Sequence, residues 1–158
     1  MKHSSYKELN ELQKKALDEA KIALQNSYAP YSHFHVGAAL IAADGTIVTG
    51  TNFENAAYGS TVCAERAAVV RANSMGIKKI RSIAVIARGD TFDMVEVTGP
   101  CGDCRQVLYE AAQISNCDIE VILSTTKKDK IIITSIKELL PLGLGPNDIG
   151  MDISRYRQ

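Results

Sequence analysis

Three of the four cysteines fall in two short motifs, Cys63-Ala64-Glu65-Arg66 and Pro100-Cys101-Gly102-Asp103-Cys104-Arg105-Gln106. Cys101 and Cys104 stand at the C-x-x-C spacing that lets two thiolates hold one metal ion at a helix start. Alone, that spacing serves redox chemistry as well as metal binding. A redox use would want a thioredoxin-like strand ahead of it and would leave Cys63 idle, whereas zinc employs all three thiolates. One zinc ion per chain on Cys63, Cys101 and Cys104 is therefore the favoured reading. Three protein ligands leave one tetrahedral position open, which is the pattern of catalytic zinc. A water in that position would ionise near neutral pH.

The residues beside the thiols extend this chemistry. Both motifs read as helix starts, where the partial positive charge of the helix favours thiolate over thiol. Glu65 lies two residues from Cys63, and in an irregular first turn both can address one pocket. A carboxylate there is a natural proton shuttle. Compensation of the helix dipole is the bland alternative, and the adjacent Cys63 tips the balance to the shuttle. Arg66 has two readings of equal standing from spacing alone. It either hydrogen-bonds a ligand sulfur and offsets the negative charge of a three-thiolate centre, or it is a solvated surface residue.

The elements that must position these residues follow from periodicity and punctuation. Apolar residues recur at helical spacing over Ser5 to Asn26, and Pro30 ends that stretch. Phe34 to Ala43 and Thr46 to Phe53 read as strands joined by Asp44-Gly45, a strong hairpin signal. Cys63 to Met75 reads as a helix with Gly76 as its C-terminal cap. Ile80 to Ala87 reads as a buried strand. Gly102 to Gln113 is a second inner helix, Ile119 to Ser124 and Lys130 to Thr134 are strands, and Ser135 to Leu140 is a short helix. The strand–helix–strand crossovers should be right-handed and parallel. Thr125 to Asp129 are too few for a parallel return, so the last two strands should run antiparallel. The expected fold is α/β: three α/β/α layers around a five-stranded mixed sheet.

The chain has 158 residues and 17.1 kDa, the size of one domain spanning residues 1–158. Lys plus Arg and Asp plus Glu both number 18, so the formal net charge is zero. That balance argues against nucleic-acid binding and against attachment to an anionic membrane surface. The longest nearly apolar run, Val36 to Ala43, is far too short to span a bilayer. Met1 to Glu8 contains no apolar core of a secretory signal, so the expected location is the cytoplasm. In that reducing compartment the cysteines should be thiols or metal ligands. Cys117 lacks a paired motif and reads as a buried hydrophobe before a strand.

Cys63-Ala64-Glu65 with Pro100-Cys101-Gly102-Asp103-Cys104 resembles the zinc nucleobase deaminase signature. More narrowly, the chain is similar to the small homotetrameric cytidine deaminases. The likeness includes Tyr28-Ala29-Pro30-Tyr31-Ser32, Val36-Gly37-Ala38-Ala39-Leu40, Asn52-Phe53-Glu54-Asn55-Ala56 and Leu139-Leu140-Pro141. It covers roughly Ala16 to Leu144. The resemblance implies hydrolysis of cytidine and 2′-deoxycytidine to uridine and 2′-deoxyuridine, with ammonia released, in pyrimidine salvage. It implies zinc on Cys63, Cys101 and Cys104, proton transfer by Glu65 and an Arg66 bond to the thiolates. Asn52 and Glu54 would bind the ribose hydroxyls and Phe34 would wall the pyrimidine. Phe53 and Ala64 would join the substrate-binding set. Tyr58 would reach a neighbouring subunit's site in a homotetramer with shared sites. The partners are thus a small nucleoside and other copies of the chain, with no nucleic acid and no membrane.

Each of these residues also has a plain alternative. Phe34 and Phe53 would serve as strand core, Asn52, Glu54 and Asn55 as loop residues, and Tyr58 as a surface aromatic. His33 and His35 flank Phe34, but alternation places them on the opposite face, so they are read as non-ligands. Leu144 stands where the family usually closes a neighbouring site with an aromatic, and the tail 146–158 is longer than usual. Two competing functions remain. One is deamination of another aminopyrimidine such as blasticidin S, against which Arg66 and the Asn52-Phe53-Glu54-Asn55 stretch speak. The other is a structural zinc module closed by Cys117, which has no need of Glu65.

Overall fold

Asp44-Gly45 turns the chain as its composition predicts. Gly45 takes φ of +87°, and the Thr46 amide donates to Asp44 Oδ1 at 2.9 Å. The computed structural model describes residues 1–157, so Gln158 at the end of the tail lies outside the described residues. Its strands are β1 (Lys2–Ser4), β2 (Phe34–Ala42), β3 (Ile47–Thr51), β4 (Ile80–Gly89), β5 (Glu120–Ser124) and β6 (Ile131–Ser135). Its helices are α1 (Glu11–Leu24), α2 (Ala64–Ser74), α3 (Gly102–Ser115) and α4 (Ile136–Leu139). The strands lie in one sheet in the order β1-β6-β5-β4-β2-β3.

The mixed pairing follows the connections. β4 and β5 are parallel and joined through α3, while β5 and β6 are antiparallel across a tight turn, as the short 125–129 connection requires. β3 and β4 run the same way but are not neighbours, because β2 lies between them and pairs antiparallel with both. The three layers form as expected. Ala16, Leu17, Ala20 and Leu24 of α1 pack on Ala39, Ile41, Ala84, Ile86 and Ile122 on one face of the sheet. Ala64, Ala68 and Ala72 of α2, Leu108 and Ala111 of α3 and Ile136 of α4 pack on Ala38, Leu40, Ile83, Val85 and Val121 on the other. Each fully buried Leu or Ile contributes about 1.5–3 kcal/mol relative to exposure.

Two features correct the sequence expectation. The sheet has six strands, not five, because Lys2–Ser4 pairs antiparallel with β6 from Lys2↔Ile133 to Ser4↔Ile131. A three-residue polar edge strand is held by backbone pairing and leaves no apolar alternation to read. The first helix begins at Glu11 rather than Ser5. A 3₁₀ turn, Tyr6–Glu8, precedes it, and Asn10 caps it by accepting from the Gln13 amide at 2.9 Å, while Gln13 Oε1 accepts from the Asn10 amide at 3.0 Å.

Close approach of helix to sheet sets the site. A Cβ on Gly50 of β3 would lie 2.4 Å from Ala64 O and from Ala68 N, so only glycine lets the start of α2 lie this close to the strand. Gly37 does the same for α1 on β2, where a Cβ would meet Ala20 O at 1.9 Å.

Candidate active site

Two helix N-termini bring the three cysteines together. Cys63 is the N-cap of α2 and Cys101 the N-cap of α3, and Cys104 sits in the first turn of α3. Cys63 Sγ lies 3.9 Å from Cys101 Sγ, and Cys101 Sγ lies 3.5 Å from Cys104 Sγ. All three ligand atoms lie within 4.8 Å of one another. A disulfide is excluded, since its sulfurs would sit about 2.05 Å apart. Thiolates about 2.3 Å from one tetrahedral zinc ion would stand about 3.8 Å from each other, and the observed spacings straddle that value. The donor set therefore fits zinc. Cys104 is buried, Cys63 half-buried and Cys101 exposed, so the cluster opens to one side.

The electrostatics of the trio point the same way. Cys63 is held down to about 5. The hydrogen bond from Cys104 is the main cause, burial opposes it, and Cys101 and Arg66 add to it. Cys104 is pushed up by the same hydrogen bond and by burial. Arg66 Nη2 donates to Thr61 O at 2.6 Å and lies 4.0 Å from Cys63 Sγ. The guanidinium thus ties the loop before α2 to the thiol. Glu65 is 4% exposed in the first turn of α2. Burial is the main cause raising its carboxyl above the usual range and the Cys63 charge adds to it, while its own backbone, Cys104 and Arg66 pull it down. Burial and contact with the thiols set this carboxyl apart from a solvated first-turn glutamate.

The strand ends build the other wall. Asn52 and Glu54 follow β3 and are 7% and 8% exposed. Asn52 Oδ1 accepts from the Val36 amide at 2.9 Å, and its Nδ2 donates to Phe34 O at 2.9 Å. Its side chain continues the ladder between β2 and the segment after β3. Glu54 Oε2 accepts from the Tyr31 and Ser32 amides at 2.9 and 3.2 Å. Burial alone would raise the Glu54 carboxyl, but the hydrogen bonds from Ser32 and Tyr31, with His33 nearby, lower it overall. Phe34 is half-buried where β2 begins. Ala64 is fully buried at the first position of α2.

Two aromatic candidates point elsewhere. Phe53 is 57% exposed and stacks on Tyr28 with centroids 5.1 Å apart. Tyr58 is 75% exposed and meets Tyr31 edge-on at 5.7 Å. Neither is strand core. Cys117 corrects the sequence reading, for it is exposed just beyond the C-terminus of α3, where its Sγ donates to Ile80 O at 3.2 Å. Eleven helical residues, 105–115, and the left-handed Asn116 separate it from Cys104, and the helical part alone spans about 16 Å at 1.5 Å per residue. It does not close the cluster, and among the described residues no fourth protein ligand joins the three thiols.

The comparisons with known proteins agree with this geometry. Residues 10–120 match the model of the "Cytidine and deoxycytidylate deaminase zinc-binding region" family. The chain belongs to that family. It is 42% identical over 135 residues to a cytidine deaminase of Sporosarcina psychrophila, covering 85% of this chain and 93% of that protein. It is 43% identical over 125 residues to a cytidine deaminase of Halalkalibacterium halodurans, covering 79% and 88%. Among solved structures it resembles a cytidine deaminase from Burkholderia pseudomallei with a TM-score of 0.73 and 38% identity, covering 82% and 97%. This deaminase domain is thus a zinc-binding one, with Cys63, Cys101 and Cys104 able to hold the metal. No helix among the described residues is long and apolar enough to cross a membrane.

Sequence reasoning missed the residues that brace the domain's site. Arg105 Nε donates to Pro100 O at 2.8 Å and its Nη1 to Leu139 O at 3.2 Å, fixing the approach to Cys101 against the end of α4. Its place next to Cys104 was the one available signal. The Tyr31 and Ser32 amides that hold Glu54 left none, because any residue but proline supplies an amide.

Proposed function

We propose that this chain is a cytidine deaminase that hydrolyses cytidine and 2′-deoxycytidine to uridine and 2′-deoxyuridine and releases ammonia. The observation that carries this reading is the buried Glu65 carboxyl beside three thiols that converge from two helix N-termini. Cys63, Cys101 and Cys104 would hold one zinc ion, which would supply Lewis acidity to activate a water. Glu65 takes a proton at its carboxylate, delivers it to the ring nitrogen beside the amino-bearing carbon and later serves the departing amine. Arg66 holds the Cys63 sulfur and offsets the charge of three thiolates.

The strand-end wall selects the substrate. Phe34 and Ala64 wall the pyrimidine. Asn52 retains one amide N–H, and Glu54 retains Oε1, for the ribose hydroxyls. Phe53 supports that wall through Tyr28. An anionic Glu54 beside the sugar repels a phosphate, and no cationic clamp offsets it, so the nucleoside is the substrate rather than its monophosphate. The domain, residues 1–158, works as a homotetramer with shared sites. The exposed Tyr28, Tyr31, Phe53 and Tyr58 support this, since rings beside a pocket mark a surface that a second copy covers. Its need for reduced thiols supports a cytoplasmic location, and its substrate supports a role in pyrimidine salvage.

The test is loss of cytidine's ultraviolet absorbance on adding zinc-loaded protein. Turnover by the chain and its loss in Glu65→Gln is the expected result. An inactive, fully zinc-loaded, folded wild type would overturn the reading.

A further inference from the structure

Two histidines flank Phe34, and the structure gives both the same partner. His33 Nδ1 hydrogen-bonds Asp90 Oδ2 at 2.9 Å, and His35 Nε2 hydrogen-bonds Asp90 Oδ1. The Asp90 amide donates to His33 O at 3.1 Å, a third tie between the same segments. On the far side of its ring, His35 Nδ1 meets Ser27 Oγ. Asp90 follows β4 directly, so this knot joins the end of β4 to the start of β2 and to the loop after α1.

An ionised carboxylate only accepts, so each ring donates to Asp90. His35 Nε2–H donates to one Asp90 oxygen and His33 Nδ1–H to the other, while Ser27 Oγ pairs with His35 Nδ1. The ionised carboxylate is therefore the one group that satisfies both rings. The hydrogen bond from His35, then that from His33, holds the Asp90 carboxyl below the usual range. No metal cluster is built here, for these residues are not among those able to hold an ion together.

The segment needs such a tie. His33 adopts φ of +56°, a left-handed conformation that a residue with a Cβ enters at a cost. That bend aims the Tyr31 and Ser32 amides at Glu54 and starts β2 at Phe34. His33 also lies near enough to Glu54 to favour its ionised form. The Phe34 amide donates to Ser32 Oγ at 3.1 Å, which links the start of β2 to the segment that cradles Glu54.

We propose that Asp90 is a positioning residue for the nucleoside wall: by binding His33 and His35 together it fixes Phe34 and the Tyr31–Ser32 amides that orient Glu54. It touches no reacting atom, and its effect falls on substrate affinity. The inference rests on the nucleoside reading above.

The experiment compares cytidine kinetics of the zinc-loaded wild type with Asp90→Ala and Asp90→Asn. Asp90→Ala should raise KM about tenfold, within the hundredfold that a ~1 Å misplacement can cost. Its kcat should stay within about threefold, as expected for loss of binding shared by ground and transition states. Asp90→Asn keeps one acceptor and should fall between wild type and Asp90→Ala. A purely structural tie would lower the melting temperature and leave KM of the surviving enzyme alone. If Asp90→Ala does not fold, Asp90→Asn carries the test, with a KM rise of at least threefold expected. An unchanged KM in the folded variant, or a loss confined to kcat, overturns the proposal. A wild type that leaves cytidine untouched instead overturns the functional reading on which it rests.

Discussion

The two walls of the site are built by opposite means. On the thiol wall, side chains project from helix starts and meet each other: Cys63 and Cys101 are N-caps, and Cys104 and Glu65 occupy first turns. On the nucleoside wall, side chains meet backbone. Asn52 bonds the backbone of Phe34 and Val36, and Glu54 bonds the amides of Tyr31 and Ser32. The first wall depends on residue chemistry at fixed positions. The second depends on the path of a loop, and its polar side chains shape the pocket before they bind anything in it. Damage to the first should therefore abolish chemistry, and damage to the second should weaken binding and stability together.

The sharpest break is Cys101→Ala. It removes the most exposed of the three thiols, and among the described residues no fourth ligand joins the cluster. Zinc content should fall far below one per chain, activity should drop to background, and the melting temperature should fall because metal binding is coupled to folding. Elemental analysis with thermal denaturation reads both. Stoichiometric zinc in active Cys101→Ala would show that the thiol wall is not the metal site. Removal of zinc from the wild type by a chelator should reproduce the loss of activity, and added zinc should restore it.

Next comes Glu65→Gln, which keeps the shape and the zinc but cannot accept a proton. A single general acid–base group contributes about 10²–10⁴-fold. In the proposed mechanism Glu65 serves more than one transfer, so kcat should fall by about 10⁴-fold or more with zinc retained. A zinc-loaded variant keeping over about a tenth of wild-type kcat, a barrier change of only ~1.4 kcal/mol, would remove Glu65 from the proton path.

This division also decides what the sequence revealed. Cys63, Glu65, Cys101 and Cys104 were legible because their types are scarce and their spacing has few other uses. The central strands were legible from periodicity: Ile80 to Ala87 reads as a buried strand and β4 spans Ile80–Gly89. β1 was not legible, since Lys2–Ser4 contributes only backbone pairing. The start of α1 was misplaced because the apolar Leu9 extends the stripe past its true cap at Asn10. The partners of Asn52 and Glu54 were illegible for the same reason as β1, being backbone groups. Asp90 stands 55 residues from His35, and no local pattern connects them. Family resemblance suggested sugar contacts for Asn52 and Glu54 but gave no hint that both first hold the chain's own loop.

Asn52→Ala tests the nucleoside wall more gently. It leaves the Val36 amide and the Phe34 carbonyl without partners. Unsatisfied buried groups of this kind cost about 1–3 kcal/mol each. Both bonds are part-buried, so unfolding in denaturant should show a loss of about 2 kcal/mol for the pair, and KM for cytidine should rise by about tenfold or more, with zinc content unchanged. A stability loss accompanied by an unaltered KM would reduce Asn52 to a structural brace.

The smallest effect concerns acid. The Glu54 carboxyl sits below its ordinary value of 4.5 in the folded chain, because the Ser32 and Tyr31 hydrogen bonds outweigh burial. A carboxylate lowered on folding contributes stability above its unfolded value, and that contribution disappears as the pH falls through the folded value. Glu54 is therefore ionised at neutral pH, and KM for cytidine should carry no Glu54-dependent slope in the neutral range. Below the ordinary value the carboxylate gains its proton, the Tyr31 and Ser32 amides lose a charged acceptor, and both affinity and stability should decline. Glu54→Gln should already show a raised KM at pH 7, by severalfold, and its denaturation midpoint should lose the acid-dependent drop that separates wild type at pH 6 from wild type near pH 4. Thiol protonation and zinc release in the same acid range would move both proteins alike, so the difference between the two curves isolates Glu54. Parallel stability curves for wild type and Glu54→Gln from pH 6 to 4 would show that the loop holds its path without the charge, and the contrast between the two walls would then rest on Asn52 alone.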